Sequence, residues 1–218
     1  MLIAFDLDDT LYKEKDFAAS GRKAVARAAA ATGKFSFEEA MTVLAESAST
    51  AEGFDRLAEA SNGALSIADL LDAYRNHEPE IELPAESAFV LSELKRRGHT
   101  LVLITDGRAT TQRAKIRALG LERFFEPESI IISGETGADK NDPLPFRLAA
   151  ERNPAETERI YVGDNPAKDF RHPNLMGWRT IQLNDTEGEN VHPQDIDAEP
   201  EYHAAEAIDT LPRLLDIL

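Results

Sequence analysis

The chain has 218 residues, a formal net charge of −16 and no cysteine, so disulfide and thiolate chemistry are excluded and no basic stripe exists for a nucleic acid polymer or an anionic membrane. No stretch approaches the roughly 20 apolar residues of a membrane span, and the short apolar N-terminal run lacks a basic start and a cleavage site, so the expected location is the cytoplasm. An anionic substrate would need a local cationic site made by a metal or by a few Lys and Arg.

Leu2 to Phe5 reads as a strand buried on both faces, and it ends in Asp6, Asp8 and Asp9. Clustered carboxylates at such a strand end repel one another unless a cation sits among them. Asp6 and Asp8 are two apart, so in an extended chain they lie on one side, a spacing that suits one Mg2+. An acidic turn following a strand would show the same residues. Residues 13–84 then read as helical, with no strand. Phe17 to Thr32 is rich in alanine and ends at Gly33; Ser36 to Glu39 is a helix start, followed by Met41, Leu44, Ala45 and Ala48 at helical spacing. Further helices are predicted over Phe54 to Ala60 and Ser66 to His77, and Pro79 and Pro84 close the block.

From here the pattern alternates. Helix Ala85 to Arg97 ends at Gly98, followed by strand Thr100 to Thr105, helix Thr110 to Leu119, strand Ile130 to Ser133, helix Pro143 to Arg152 and strand Arg159 to Gly163. A short helix after Pro166, a strand near Trp178 to Leu183 and a last helix from Thr210 to Leu218 complete the chain. Asn184 to Glu201 carries no periodicity and reads as a surface loop. Strands alternating with helices predict an α/β fold, a doubly wound parallel sheet, with 1–12 and 85–218 as the core domain and 13–84 as an inserted helical domain.

Ligands of open parallel sheets sit beyond the carboxyl ends of the strands. There the predicted strands deliver Asp6 and Asp8, then Thr105-Asp106-Gly107-Arg108, then Lys140 in the stretch 134–142, then Gly163-Asp164 with Asp169 five residues on. Taken singly, Thr105 is an ordinary strand-end hydroxyl, Lys140 a surface lysine and Asp164 a turn residue or helix N-cap. Together, and in this order, they resemble the four motifs of the haloacid dehalogenase superfamily. Asp6-Leu7-Asp8-Asp9-Thr10 is similar to its DxDxT motif, Thr105 to the hydroxyl of the second, Lys140 to the lysine of the third, and Asp164 with Asp169 to the GDxxxxD form of the fourth. The resemblance covers the predicted core, and the helical block stands where the family inserts a cap. One departure is Pro173, where many relatives continue a short alanine-rich helix.

The resemblance implies a phosphatase. Asp6 would attack the phosphorus of a small phosphorylated metabolite and carry an aspartyl phosphate, with Asp8 as general acid and base. Mg2+ would be held by Asp6, the backbone carbonyl of Asp8 and Asp164; Thr105, Lys140 and backbone N–H groups around Asp106 would bind the phosphoryl group, and Asp169 would orient Lys140 or a metal-bound water from behind. Asp9 is expected only to shape the turn. The family's dehalogenases lack an acid at the position of Asp8, and its phosphomutases commonly carry glycine and valine where Asp9 and Thr10 stand, so phosphatase chemistry is the reading, with those activities or a non-catalytic binding role as alternatives. Arg108, Asn165, Arg171 and His172 are near the site by position alone, and Trp178 and His203 read as packing or surface residues.

Overall fold

The computed structural model of the protein describes residues 1–218. Leu2–Phe5 form β1, each residue with no exposed surface, as an unbroken apolar run requires when both faces of a sheet are covered. Four helices follow: α1 (Glu14–Ala31), α2 (Phe37–Glu46), α3 (Thr50–Ala60) and α4 (Ile67–Arg75). Ser36, Ser49 and Ser66 cap the last three, each accepting the backbone N–H three residues on, and Glu39 and Asp69 return the bond to the caps of α2 and α4. Ser49 is also why α3 begins at Thr50, ahead of the Phe54 start that apolar spacing indicates.

The chain divides into two compact units, Asp16–Ile81 and Met1–Lys15 together with Glu82–Leu218. The helical unit has its own core, in which Val25, Ala26 and Ala29 of α1 pack with Leu44, Leu57 and Leu70. Small alanine side chains on α1 permit that close approach.

The α/β unit continues with α5 (Ala85–Arg96), β2 (Thr100–Thr105), α6 (Ala109–Ala118), β3 (Ile130–Ile132), α7 (Ser133–Thr136), α8 (Leu144–Arg152), β4 (Arg159–Gly163), α9 (Arg171–Leu175), β5 (Arg179–Leu183), β6 (Glu206–Ile208) and α10 (Leu214–Ile217). All six strands are parallel, in the order β3-β2-β1-β4-β5-β6. Phe5 of β1 stands opposite Leu103 on one side and Val162 on the other. The chain builds outward from β1 to β3, then crosses to β1's other edge for β4. At that reversal the connections diverge and leave a crevice beyond the strands' carboxyl ends. Asp6 extends β1 into it, its N–H donating to the Val162 carbonyl at 2.9 Å, and Asp164 follows β4 directly.

Several boundaries differ from the sequence expectation for local reasons. Ser133 opens α7 instead of ending β3. The turn after Pro166 is held by the N–H groups of Lys168 and Asp169 on the Asn165 carbonyl, so α9 waits until Arg171. Pro173 is the third residue of α9, where a helix has no use for the missing N–H. β6 is a three-residue edge strand with one buried side chain, too short to show alternation. The final helix divides into a 3-10 turn, Leu211–Arg213, with Pro212 in its first turn, and α10.

Behind the sheet Phe146 of α8 meets the rings of Tyr161 and Trp178 edge-on, at 5.2 and 6.0 Å between centroids. The three are almost fully buried, and Trp178 is therefore a core residue. We expect Phe146→Ala to lower unfolding stability by about 3–5 kcal/mol, the usual cost of removing a buried aromatic ring, in a denaturant titration of the full chain.

Candidate active site

Lys140 lies in the connection between α7 and α8 and is 3% exposed. Its Nζ is 2.8 Å from Asp6 Oδ1 and 2.6 Å from Asp169 Oδ1. The connection is anchored at two points. The Lys140 N–H donates to Asp106 Oδ1 at 3.1 Å, and His172 Nε2 lies 2.7 Å from the Asn141 carbonyl. A carbonyl only accepts, so Nε2 of His172 carries the proton.

Asp169 has no exposed surface, and its carboxylate is engaged on both oxygens. Oδ1 accepts from Lys140 and from the Tyr161 hydroxyl at 3.1 Å; Oδ2 accepts the N–H groups of Asp164 at 3.1 Å and Asn165 at 2.8 Å. A side chain on Gly163 would run into that carboxylate, which is the physical reason for glycine at the end of β4. Carboxylate oxygens of Asp6, Asp164 and Asp169 come within 4.8 Å of one another.

Burial pushes the Asp6 carboxyl well above the ordinary carboxylate range; Lys140 works against that, and the charges of Asp169 and Asp164 add to it. Burial, then the charge of Asp169, raises Asp164 to about 8, with Lys140 opposing. Burial alone would pull the Lys140 ammonium down, but Asp169 and Asp6 outweigh it and hold the lysine charged. One lysine among three buried carboxylates leaves an excess of negative charge.

Asp8 is treated differently from Asp6, although only Leu7 separates them. Its carboxylate accepts from the Tyr12 hydroxyl at 2.5 Å and Lys115 Nζ at 2.7 Å on Oδ1, and from Gln112 Nε2 at 3.1 Å on Oδ2. Gln112 and Lys115 project from one face of α6, three residues apart, and both are almost fully buried. Sequence reasoning passed over these three donors. A lysine on the buried face of a helix was the available signal, since such a charge requires a partner.

A cavity of about 200 Å³ opens on this edge, lined by Asp6, Asp8, Thr105, Asp106, Lys140 and Asp164, with Asp9, Glu14, Asn165, Lys168 and His192 around them. Thr105, at the end of β2, is 1% exposed, and its Oγ1 has no hydrogen-bond partner. Arg108 is an exposed residue ahead of α6 and does not line the cavity, Arg171 lies over the Tyr202 ring at 5.6 Å, and His203 is exposed.

The segment 184–194, read from sequence as a surface loop, folds back onto the site. Val191 N–H donates to Asp9 Oδ2 at 2.9 Å, Asn190 Nδ2 to Asp164 Oδ2 at 2.9 Å, and Gln194 Nε2 to the Asp164 carbonyl at 2.8 Å. Asp9 therefore does more than shape a turn. With φ of 56°, an uncommon conformation for a residue other than glycine, it spans Val191 and the Glu14 N–H that begins α1. The position of the segment just beyond the carboxyl end of β5 was the signal for its role.

The sequence model of the haloacid dehalogenase-like hydrolases matches residues 3–182. Among characterised proteins, the glyceraldehyde 3-phosphate phosphatase of Methanopyrus kandleri is 28% identical over 99% of this chain and 96% of its own length. The phosphoserine phosphatase of Thermus thermophilus is 33% identical over 70% of this chain, a match that spans 59% of that enzyme. Among solved structures, a HAD phosphatase from Thermococcus onnurineus aligns over 99% of this chain and 96% of its own with a TM-score of 0.63 at 22% identity. A 2-haloacid dehalogenase from Pseudomonas syringae gives the same coverage and TM-score at 25% identity, so the fold by itself does not choose between the two chemistries. With the family model spanning most of the chain, the protein belongs to the haloacid dehalogenase-like hydrolases.

Proposed function

We propose that the protein is a Mg2+-dependent phosphatase that hydrolyses a small phosphate monoester through an aspartyl phosphate on Asp6. The observation that carries this reading is the setting of Asp6: a buried carboxylate 2.8 Å from Lys140, facing a small polar cavity in which the Thr105 hydroxyl has no partner. A buried hydroxyl without a partner is costly, and a phosphoryl oxygen would satisfy it. Phosphatases of phosphoserine and glyceraldehyde 3-phosphate among the relatives support the same class of chemistry.

The donor set fits a hard divalent cation. Asp6 and Asp164 offer carboxylate oxygens close together, both are raised by burial, and Asp169 is already committed to Lys140, Tyr161 and two backbone N–H groups. Asp6, Asp164 and the backbone carbonyl of Asp8 would hold Mg2+, which when bound offsets the charge of the phosphate dianion and polarises a phosphoryl oxygen. Asp6 attacks phosphorus as the ester oxygen leaves. Lys140 holds Asp6 in place and balances charge on the phosphoryl oxygens, with Thr105 donating a hydrogen bond to one of them. Asp8 gives a proton to the departing oxygen and then takes one from the water that attacks the aspartyl phosphate, restoring Asp6 and releasing phosphate. An acid at this position favours phosphoryl transfer over attack at carbon. The helical unit 16–81 is proposed to be the inserted domain that sets which ester is accepted, as the family resemblance implies.

Hydrolysis of an aryl phosphate should require Mg2+, and Asp6→Asn should reduce it to background. Activity surviving either change would remove the proposal in favour of a different chemistry or a binding role. Asp8→Asn should lower turnover by about 10²–10⁴-fold with the fold intact by circular dichroism, the range for loss of a general acid and base.

The charge balance makes a prediction that needs no substrate. Asp6 and Asp164 have folded-state pKa values above their unfolded ones, so their contribution to the stability of the metal-free fold is fully present below the ordinary carboxylate range and is lost as pH rises towards about 8, where Asp164 ionises. Mg2+ binds the ionised carboxylates and offsets that loss. The rise in melting temperature on adding Mg2+ is therefore expected to be larger at pH 8 than at pH 6.

A further inference from the structure

Asp164, the acid that lines the cavity at the end of β4, is almost fully buried, and part of its surroundings comes from the segment after β5. Its carboxylate is 2.9 Å from the side-chain amide of Asn190, which lies in the segment after β5. An amide's nitrogen and oxygen are told apart by their partners. Here Lys13 Nζ, a donor with no acceptor capacity, sits 2.8 Å from Asn190 Oδ1. Oδ1 must accept, so Nδ2 is the atom that faces Asp164 Oδ2.

The segment is a clasp closed on itself. Asp185 N–H donates to Gln194 Oε1 at 2.7 Å, Asn190 N–H to Asp185 Oδ2 at 2.8 Å, and Gln194 Nε2 to both the Leu183 and Asp164 carbonyls at 2.8 Å. It is tied to the stretch after β1 by Asp9, by Lys13 with Asp185 at 3.6 Å, and by Lys15 with Glu189. Of the two Asp164 oxygens, Oδ2 is thereby taken by a well-placed donor. Oδ1 meets only the Thr10 hydroxyl at 3.4 Å, a long contact that leaves it able to accept a further partner.

From this geometry we infer that Asn190, oriented by Lys13, is a positioning residue for Asp164: it occupies Oδ2, so that Asp164 offers Oδ1 to the cation. The inference rests on the phosphatase reading above, in which Asp164 holds Mg2+. Groups that orient a metal ligand commonly contribute 10- to 100-fold in metal affinity, at the scale of one or two charge-assisted hydrogen bonds. The short contact of Lys13 is the one to Asn190, with Asp185 more distant at 3.6 Å, so the larger part of its effect on the metal disappears when Asn190 is absent.

The test is a calorimetric Mg2+ titration of the full chain without substrate. Asn190→Ala is expected to weaken Mg2+ binding by about tenfold. Lys13→Met should weaken it by a smaller factor in the wild-type background and by clearly less than that in Asn190→Ala, because partners acting as a unit are not additive. A clasp that merely supports the fold would give additive losses, and that result would overturn the inference. So would Asn190→Ala with wild-type affinity while Asp164→Asn loses binding, an outcome that leaves the phosphatase reading standing. Absence of Mg2+ binding in the wild-type chain would overturn both.

Discussion

The ammonium of Lys140, buried between the carboxylates of Asp6 and Asp169, is the interaction on which the rest of the site depends. Charges removed from water are tolerated only when paired and hydrogen-bonded, and removing one partner strands the others. Asp169 shows how completely this is met: lysine, tyrosine and two backbone N–H groups fill both of its oxygens. Those two N–H groups belong to Asp164 and Asn165, so the same carboxylate that holds Lys140 also shapes the turn that presents Asp164. One buried acid ties the connection before α8 to the end of β4.

The same cluster accounts for the electrostatics. Burial, and then the sharing of one cation by three carboxylates, leaves Asp6 and Asp164 with raised pKa values. Asp8, two residues from Asp6, instead has Tyr12, Gln112 and Lys115 as its donors. Alternation of the extended chain gives the two acids a common side, but their partners come from different elements, Asp6's from the connection before α8 and Asp8's from α6. Distinct surroundings suit distinct chemical roles, and adjacent acids acquire them through tertiary contacts alone.

The sheet and most helices were legible because their signals are local. An apolar run ending in acids identified β1, glycines and prolines punctuated the helices, and the alternation of strand and helix indicated the parallel sheet. Where a reading fell short, the deciding term was non-local or the element too short to carry a pattern. Ser49 moved the start of α3, while β6 has one buried residue and therefore no alternation. The segment 184–194 shows no periodicity because its hydrogen bonds go to Asp9, Lys13 and Asp164 instead of to a regular ladder.

The sequence by itself determined which side chains the strand ends carry: Asp6, Asp8, Thr105, Asp106 and Asp164 stand where apolar runs stop, Lys140 and Asp169 follow in the connections after the third and fourth runs, and a parallel sheet must bring such ends to one edge. Tertiary structure alone decided their partners. Lys140 reaches Asp6 across 134 positions of chain, Lys115 reaches Asp8 and Asn190 reaches Asp164, and none of these pairs shares an element or a period. Periodicity records which face of an element is buried, whereas the pairing of buried charges is settled by whichever opposite group the packed fold brings within reach.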